Sequence, residues 1–553
     1  MDNLSIRNIM EELVSIQSDT GSRMEVDIAK RIYRYFQEDK YFKEHPDYFG
    51  WENVGDALDR PVLWALKKGK SNHTIILTGH YDAVEIECYG TLKSYALNPS
   101  LLKNAIKQKH LYRKSTEDSA LDERIMSDLL DENWCFGRGT ADMKGGLAIG
   151  IYETLTASEE SEKSVLFIGV SDEENLSAGG RSAAAVLLKI KEKLDLDYDA
   201  VFILEPQLAL DGDGFMVYNG SIGKMMPMIV AKGKLAHCGE PLKGLNSAHL
   251  LSEIVSRINL NTDLTTENLG LKTQVPMVQY LKDLKETYDV SIPEYSAAYF
   301  NLLFVGEKNA NQLLEKIMEL AAEGANAFTE KYRKACTISL KAQTLSEEDV
   351  IKEQPLVINV AELKKRLYSE SENFENEHQK ILMSLQIKMR TGQYTVQEVG
   401  ITYIKQLLEL FRAGSERAVI AVGLCPPYYP PVNNREKGSS YQHYLSAIAQ
   451  TLKTREKITG ERLRLKEVEY FTGIGDGSYF SCVDPREQRA MLKQMILPTT
   501  LYDIPVEEVN KIEAPCFYLG PRCRDIHQWS ERVYMPDLEV LVPEMLEKII
   551  GKK

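Results

Sequence analysis

Apolar residues follow two different spacings in the first two hundred positions of the chain. In the segments that begin at Ile6 and Met24 they recur every three or four positions, which predicts amphipathic helices. The short apolar runs "HTIILTG", "SVLFIGVS" and "DAVFILEP" are instead typical of strands that are buried on both faces. Because such helices and strands alternate, we predict an α/β domain with a mostly parallel sheet.

From about residue 222 the spacing changes. The run "KMMPMIVAKGKLAH" predicts a strand of an antiparallel sheet, and a helix, a second strand and a second helix follow it. Charged helical patterns then cover about 354–388 and 396–411, and a strand that ends in "CPPYYPPVN" precedes the return of the α/β pattern near residue 441. We therefore predict one α/β domain, residues 1–215 and 433–553, interrupted by an enlarged α+β domain, residues 216–432.

The composition is that of a globular protein with more than one domain. The chain has 553 residues, of which 43% are hydrophobic and 27% are charged. It contains neither an apolar run long enough to cross a bilayer nor a signal-peptide pattern, so we expect no membrane partner and a cytoplasmic location. The eight cysteines form no Cys-x-x-Cys pair, which fits reduced thiols. A net charge of −14 argues against a nucleic-acid partner.

Histidine and carboxylate side chains follow each of the three apolar strands. His80 and Asp82 come after the first strand, and Glu173 and Glu174 follow the second. Glu205 ends the third strand. Because ligands bind outside the carboxyl ends of the strands of an open parallel sheet, we expect these side chains to converge at one edge.

A further carboxylate, Asp142, lies in the Gly-rich loop "FGRGTADMKGG", which opens a helix. Taken singly, these residues have ordinary structural explanations: Asp142 as a helix N-cap, His80 as a core histidine, and Glu205 as the partner of a lysine. Together they do not, because several carboxylates in one cleft repel one another unless a cation neutralises them. Histidine with carboxylates and no cysteine suits zinc, manganese or cobalt, and the number of carboxylates suggests two ions with a shared ligand.

Five segments resemble the motifs of a known family, in the order in which that family has them. They are "GHYDAVE", "FGRGTADMKGGLA", "SDEENLSAGG", "LEP" and "AHCGEPLKGLNSA". These segments are similar to the di-zinc aminoacylase, carboxypeptidase-G and succinyl-diaminopimelate desuccinylase family of metallopeptidases. The chain length, the "CYGTLKSYALNP" segment and the "CPPYYPPVN" loop most resemble the arginine-utilisation branch of that family. The resemblance implies a catalytic α/β domain and an inserted lid or dimerisation domain.

The resemblance also implies a role for individual residues. The metal ligands would be His80, Asp142, Glu174, Glu205 and His527, with Asp142 bridging the two ions. Glu173 would be the general base, Asp82 would orient the metal-bound imidazole, and His237 of the inserted domain would stabilise the oxyanion of the tetrahedral intermediate. For the last ligand we favour His527 over His443, because His443 lies in a helical pattern.

Other positions bear on substrate recognition. Gly475 in "FTGIGDGSYF" resembles a family loop whose backbone N–H groups line the substrate pocket. Many relatives carry Asn-x-Arg on a strand of the lid, where the Arg binds a substrate carboxylate; here Asn301 is present but Leu303 stands in place of the Arg. An apolar side chain cannot replace a bidentate guanidinium, so the chain either does not bind such a carboxylate or uses another group, for which Arg522 and Arg524 are candidates.

We therefore predict a metal-dependent amidohydrolase or peptidase that cleaves a small N-acyl amino acid or dipeptide, with arginine catabolism as a candidate pathway. Two divalent ions, zinc or alternatively manganese or cobalt, would activate the attacking water. The alternative is a catalytically silent binding or regulatory protein on the same fold. A dinucleotide-binding enzyme is disfavoured because no Gly-x-Gly-x-x-Gly follows the first strand. The enlarged insert is compatible with a homodimer or a monomer, and the role of the arm 86–133 stays open.

Overall fold

The structure is a computed structural model that describes residues 4–113, 123–208, 214–306, 310–411 and 417–552. In chain order the strands are β1 (Phe49–Asn53), β2 (Pro61–Lys67), β3 (His73–His80), β4 (Trp134–Phe136), β5 (Ser164–Val170), β6 (Asp197–Ile203), β7 (Gln207–Leu208), β8 (Gly214–Tyr218), β9 (Gly220–Ser221), β10 (Gly223–Lys232), β11 (Glu267–Asn268), β12 (Leu271–Lys272), β13 (Met277–Asp283), β14 (Tyr295–Phe304), β15 (Leu356–Asn359), β16 (Val419–Tyr429), β17 (Val432–Asn433), β18 (Arg464–Val468), β19 (Cys516–Tyr518), β20 (Arg522–Arg524) and β21 (Arg532–Tyr534).

The helices surround these strands. In chain order they are α1 (Ile6–Ser15), α2 (Met24–Glu38), α3 (Lys40–Glu44), α4 (Pro99–Arg113), α5 (Glu123–Leu130), α6 (Lys144–Thr156), α7 (Ala178–Leu194), α8 (Ser247–Ile258), α9 (Ala310–Lys341), α10 (Val360–Glu370), α11 (Phe374–Arg390), α12 (Val396–Leu410), α13 (Gln442–Thr459), α14 (Gly477–Phe480), α15 (Pro485–Gln494), α16 (Val506–Ile512) and α17 (Val542–Ile550). Among the described residues, no helix has the length and apolarity needed to cross a membrane.

The chain divides into two compact units. The first unit contains Met1–Ser221, Val432–Val483 and Pro505–Lys553, and the second contains Ile222–Pro431 and Asp484–Ile504. The sequence analysis predicted boundaries at residues 216 and 432 and assigned all of 433–553 to the α/β domain. In the structure Asp484–Ile504 instead groups with the second unit, because this segment makes its contacts there. There the Ile496 N–H donates to the Leu424 carbonyl at 2.9 Å.

The first unit is built on an eight-stranded sheet with the order β1-β2-β5-β3-β6-β19-β8-β18. The central strands β5, β3, β6 and β19 run parallel, as predicted, whereas β1 and β2 are antiparallel. Alternate residues of the central strands enter two different cores. In β3, Ile75 and Leu77 pack in the core with α1, α2 and α6, whereas Ile76 packs in the core with α7 and α16. Burial on both faces explains the continuous apolar runs in the sequence.

The N-terminal helix α1 shows why these helices form where they do. The Ser5 side chain accepts a hydrogen bond from the Asn8 N–H and caps the first turn. The predicted apolar face is the buried face, with Ile6, Ile9, Met10, Leu13 and Val14 all turned to the core. The mixed α/β class of the fold is thus confirmed.

All eight cysteines are free thiols.

The second unit contains a five-stranded sheet with the order β13-β14-β10-β16-β15. The first four strands are antiparallel, and β15 is parallel to β16. The predicted helical stretch at 354–388 is only partly helical, because it begins with β15 and is then divided between α10 and α11. The β-branched residues Val357 and Ile358 of β15 pair with β16, and the Asn359 side chain then caps α10.

Candidate active site

Three chain segments of the first unit place histidine and carboxylate side chains at one edge of the sheet. His80 is the last residue of β3, and Glu205 lies two residues beyond β6. Glu173 and Glu174 lie in the turn between β5 and α7. Because β5, β3 and β6 are adjacent and parallel, their carboxyl ends lie side by side, as the sequence analysis expected.

One group of candidate ligands comprises His80, Asp142 and Glu205. The His80 Nε2 atom is 2.9 Å from Asp142 Oδ1 and 3.4 Å from Glu205 Oε1. One donor atom from each residue lies within 4.8 Å of the others. An imidazole and two carboxylates at this spacing can bind one divalent ion.

A second group comprises Asp142, Glu174 and His527. The His527 Nε2 atom is 2.8 Å from Glu174 Oε1 and 3.3 Å from Asp142 Oδ2. Asp142 therefore turns one carboxylate oxygen to each group, which is the arrangement that a bridging ligand needs. His443 lies on α13, where its Nδ1 atom is 2.6 Å from the Ser440 carbonyl oxygen, and it belongs to no candidate ligand group in the described residues.

The ordinary explanations for the individual residues do not hold in the structure. Asp142 does not cap α6, because the N-cap position is Met143 and no side chain there makes a capping hydrogen bond. The peptide bond between Asp142 and Met143 is cis. Glu205 lies beside His80 rather than beside a lysine.

The charges of the two groups indicate a cation site. Burial raises the pKa of Glu205 to about 7, and the Asp142 charge adds to this effect. Burial raises the pKa of Glu174 as well, again with a contribution from Asp142. For Asp142, burial is outweighed by hydrogen bonds from His527 and His80, so its pKa lies well below the usual range. Two divalent cations would relieve the repulsion among these carboxylates, so the residues present fit a pair of metal ions.

Asp82, which is expected to orient the imidazole, lies beside His80 with both its backbone oxygen and its carboxylate. His80 Nδ1 is 2.9 Å from the backbone oxygen of Asp82 and 3.5 Å from its carboxylate. The carboxylate accepts hydrogen bonds from the Glu173 and Glu174 N–H groups at 3.2 and 3.3 Å, and from the Thr20 hydroxyl at 2.9 Å. The backbone of Asp82 thus holds the imidazole, and its side chain holds the turn that carries the two glutamates.

A buried ion pair that the sequence analysis did not identify supports the loop that carries Asp142. One oxygen of Glu531 accepts hydrogen bonds from the N–H groups of Gly139 and Asp142 at 2.8 and 3.4 Å, and the other pairs with Arg138. Arg138 also donates to the carbonyl oxygen of His527 at 3.2 Å. The only sequence signal was an acidic residue shortly after His527, because nothing local links Glu531 to a loop nearly 400 positions earlier.

The loop that contains Gly475 packs on a buried tyrosine. A Cβ atom at Gly475 would lie 2.8 Å from the Tyr518 hydroxyl oxygen, so a larger residue there would displace the tyrosine side chain. The Gly477 N–H donates to the same hydroxyl at 3.0 Å. The adjacent Asp476 is buried, and burial raises the pKa of its carboxyl to about 7. Contact of Gly475 with substrate stays a prediction.

The remaining predicted residues lie in the second unit. His237 follows β10 and is exposed, and its Nδ1 atom accepts a hydrogen bond from the Gly239 N–H at 3.0 Å. In the neutral imidazole this leaves the proton on Nε2, as an oxyanion donor requires. Asn301 and Leu303 lie two positions apart on β14 and therefore share one face of the sheet.

Arg522 and Arg524 were candidates to bind a substrate carboxylate, and the structure pairs both with carboxylates of the protein. Arg522 binds Asp537 through two nitrogens, at 2.6 and 2.8 Å. Arg524 binds both oxygens of Asp128 at 2.7 and 2.9 Å. Their guanidinium groups therefore support the fold, and neither replaces the arginine that relatives have at the position of Leu303.

A parallel α/β unit with an inserted α+β unit, and two ligand groups that share a carboxylate, together define a hydrolase of the metallopeptidase class. The comparison with family models agrees: the model of peptidase family M20/M25/M40 matches residues 124–550, and the chain belongs to this family. His80 and Asp82 precede the matched range, so their assignment rests on the geometry and on the resemblance of their motif.

Relatives cover nearly the whole chain. The uncharacterized protein YqjN of Bacillus subtilis is 30% identical over 550 residues, which are 98% of this chain and 95% of YqjN. Protein RocB of the same organism is 26% identical in an alignment of 561 residues that covers 98% of this chain and 94% of RocB. Among solved structures, the M20 family metallo-carboxypeptidase Sso-CP2 of Sulfolobus solfataricus has a TM-score of 0.50 at 11% identity, with 99% of this chain and 98% of that chain covered. This last similarity concerns the fold alone.

Proposed function

We propose that this hydrolase cleaves the amide bond of a small N-acyl amino acid or a dipeptide in the cytoplasm, with two divalent metal ions and Glu173 as the general base. The observation that carries the proposal is the pair of ligand groups that share Asp142, with Glu173 beside them. One ion would be held by His80, Asp142 and Glu205, and the other by Asp142, Glu174 and His527. When bound, the ions supply Lewis acidity to the amide carbonyl and to the attacking water.

Nitrogen and carboxylate donors without thiolates favour zinc, with manganese and cobalt as alternatives. His80 and Glu205 of this ligand set are buried, His527 is exposed, and the set contains more carboxylates than histidines. A site of this kind loses its ions when the carboxylates are protonated. Metal content should therefore fall in acidic buffer before the protein unfolds.

Glu173 is suited to move the proton. Its carboxylate lies 3.9 Å from His80 Nε2, and its backbone N–H is bound by Asp82. Burial raises the pKa of Glu173 well above its usual value, an effect larger than the opposing effect of the His80 charge, and the charges of Glu205 and Glu174 raise it further. A carboxylate with increased proton affinity can accept a proton from water and then pass it to the leaving amine.

His237 would donate its Nε2–H to the oxyanion, since Gly239 fixes the required tautomer.

The residues of the site constrain the identity of the substrate less than they constrain the reaction. Leu303 stands where many relatives bind a carboxylate, so we propose that an acyl or amide-linked side chain, rather than a free terminal carboxylate at this position, is recognised there. Similarity to RocB, together with the resemblance to the arginine-utilisation branch, supports a role in arginine catabolism. The assembly would be a homodimer or a monomer.

The test is a screen of N-acyl amino acids and dipeptides, with and without an arginine side, against protein loaded with zinc, manganese or cobalt. Glu173→Gln should lower kcat by about 10²–10⁴-fold, the usual contribution of a general base, while two equivalents of metal are retained. Glu153→Gln is the matched control, because Glu153 is another buried glutamate of the first unit that lies on α6 and contacts Lys552. Full activity of Glu173→Gln would contradict the mechanism. Two bound metals without hydrolysis of any substrate would instead favour a silent binding protein.

A further inference from the structure

The turn that carries Glu173 and Glu174 is held in an unusual backbone conformation. Asp172, which precedes them, has φ of 63°, and Ser177 has φ of 50°. Residues other than glycine occupy this left-handed region at a cost, and they stay there only where the surroundings enforce it. The contacts of Asp172 therefore decide where the two glutamates lie.

A buried arginine and a buried glutamate bind Asp172 from outside the turn. Arg60 Nη1 donates to Asp172 Oδ1 at 2.7 Å and to Glu25 Oε1 at 2.7 Å, and Arg60 Nε donates to Asp56 Oδ2 at 2.6 Å. Glu25 Oε2 in turn accepts a hydrogen bond from the Asp172 N–H at 2.9 Å. Glu25 and Asp172 have side-chain exposures of 0% and 1%, so these bonds form away from water. Both the backbone and the side chain of Asp172 are thus held by one ion pair.

The loop before α2, which lies next to Glu25 in the chain, also contacts Asp82, the other residue that supports the turn. The Gly21 N–H donates to Glu25 Oε1 at 2.7 Å, and the neighbouring Thr20 hydroxyl donates to Asp82 Oδ2 at 2.9 Å. Asp82 binds the backbone N–H groups of the two glutamates, as described above. The loop before α2 therefore connects both groups that fix the turn.

We propose that Arg60 and Glu25 are positioning residues that set the location of the Glu173 and Glu174 carboxylates through Asp172. This inference rests on the metal ligands and general base of the proposed function. It assigns a role to two residues that lie outside the ligand groups. A planar guanidinium is required, because Arg60 must present two nitrogens in fixed directions to three carboxylates; a lysine ammonium is a single point charge.

The proposal makes a selective prediction about the two metal ions. Glu174 and Glu173 also lie within ligand distance of His80, but in the proposed assignment Glu174 binds the ion shared with Asp142 and His527, whereas the ion held by His80, Asp142 and Glu205 has no ligand on this turn. Asp142 is supported separately by Glu531. Displacement of the turn should therefore weaken one metal equivalent and leave the other near its original affinity. A general loss of stability would affect both.

The experiment compares wild type, Arg60→Gln, Arg60→Lys, Glu25→Gln and Lys552→Gln. Each protein is loaded with zinc and titrated with a chelator, and kcat and KM are measured on the best substrate of the screen. Lys552→Gln is the control, because it breaks a buried ion pair with Glu153 elsewhere in the first unit. Arg60→Gln should weaken one equivalent by about 10–100-fold, the usual effect of losing a group that supports a ligand. It should also lower kcat by about 10²-fold with KM nearly unchanged, because the general base is displaced.

Arg60→Lys and Glu25→Gln should show smaller losses of affinity, again for one metal equivalent only. These two variants provide the test if Arg60→Gln fails to fold. Equal weakening of both equivalents, or a change no larger than that of Lys552→Gln, would overturn the positioning role. Wild-type protein that binds fewer than two metals would overturn the ligand assignment itself, and the positioning role with it. The two failures are distinguished by whether the wild type or only the variant departs from expectation.

Discussion

Replacement of Glu531 by glutamine removes one charge from the support of Asp142, the proposed bridging ligand, and changes little else. Glu531 is completely buried, and one of its oxygens accepts hydrogen bonds from the backbone N–H groups of residues 139, 141 and 142 at 2.8, 3.3 and 3.4 Å. Its other oxygen pairs with Arg138. Burial raises the pKa of Glu531 to about 7, so the carboxylate is ionised at pH 8, where the comparison should be made.

The expected loss follows from these contacts. The glutamine oxygen can keep the three N–H bonds, but each becomes a bond to a neutral acceptor and loses about 1 kcal/mol, less for the two long ones. The glutamine NH₂ group must then face Arg138, which leaves a buried guanidinium without its counter-charge, a change that costs about 3–5 kcal/mol. Both effects count the same lost charge, so we expect the free energy of unfolding to fall by about 3–5 kcal/mol in total.

Urea unfolding of the metal-free protein and chelator titration of the zinc-loaded protein measure the two consequences. Because Asp142 belongs to both ligand groups, Glu531→Gln should weaken both metal equivalents by about 10–100-fold, unlike Arg60→Gln. Glu153→Gln is the control, because Glu153 is another buried glutamate whose pKa burial raises to about 7. One of the buried oxygens of Glu153 has no hydrogen-bond partner. Wild-type affinity for both ions in Glu531→Gln would refute this reasoning. Weakening of one ion alone would show that Asp142 is not shared.

Three further predictions concern pH and the other site residues. In metal-free protein, the pKa of Glu205 is raised to about 7 by burial and that of His527 to about 10 by hydrogen bonds to Asp142 and Glu174. These two groups then bind more protons in the folded chain than in the unfolded chain, so the free energy of unfolding should fall from about pH 5 to pH 7 in urea titrations; above pH 7 the lowered pKa of buried Lys144 opposes the effect of His527, and saturating zinc should oppose the fall. Asp82→Asn should lower the affinity for the ion bound by Glu174 more than the affinity for the ion bound by His80, because the Asp82 backbone oxygen that holds the imidazole is retained. Equal loss of affinity for both ions in chelator titrations would contradict this. His237→Ala should lower kcat by about 10²–10³-fold in steady-state assays without changing metal content, and unchanged kcat would exclude an oxyanion role.

The elements that position the site could be predicted because their signals are local. Strands β3, β5 and β6 were found from continuous apolar runs, since adjacent residues such as Ile75 and Ile76 face different cores. The apolar spacing of α1 predicted its buried face residue by residue. The start of β15 was missed because the charged helical pattern that follows it dominated the segment.

The sequence by itself determined the class of fold, the parallel strands, and the positions where histidine and carboxylates follow them, because each depends on neighbouring residues. Only the tertiary structure decided which of those groups share a metal site and which support it. The Asp82 carboxylate binds the backbone of Glu173 and Glu174, 91 and 92 positions later. Arg60 meets Asp172 across 112 positions. Such contacts arise when the strands assemble into a sheet, and local periodicity carries no record of them.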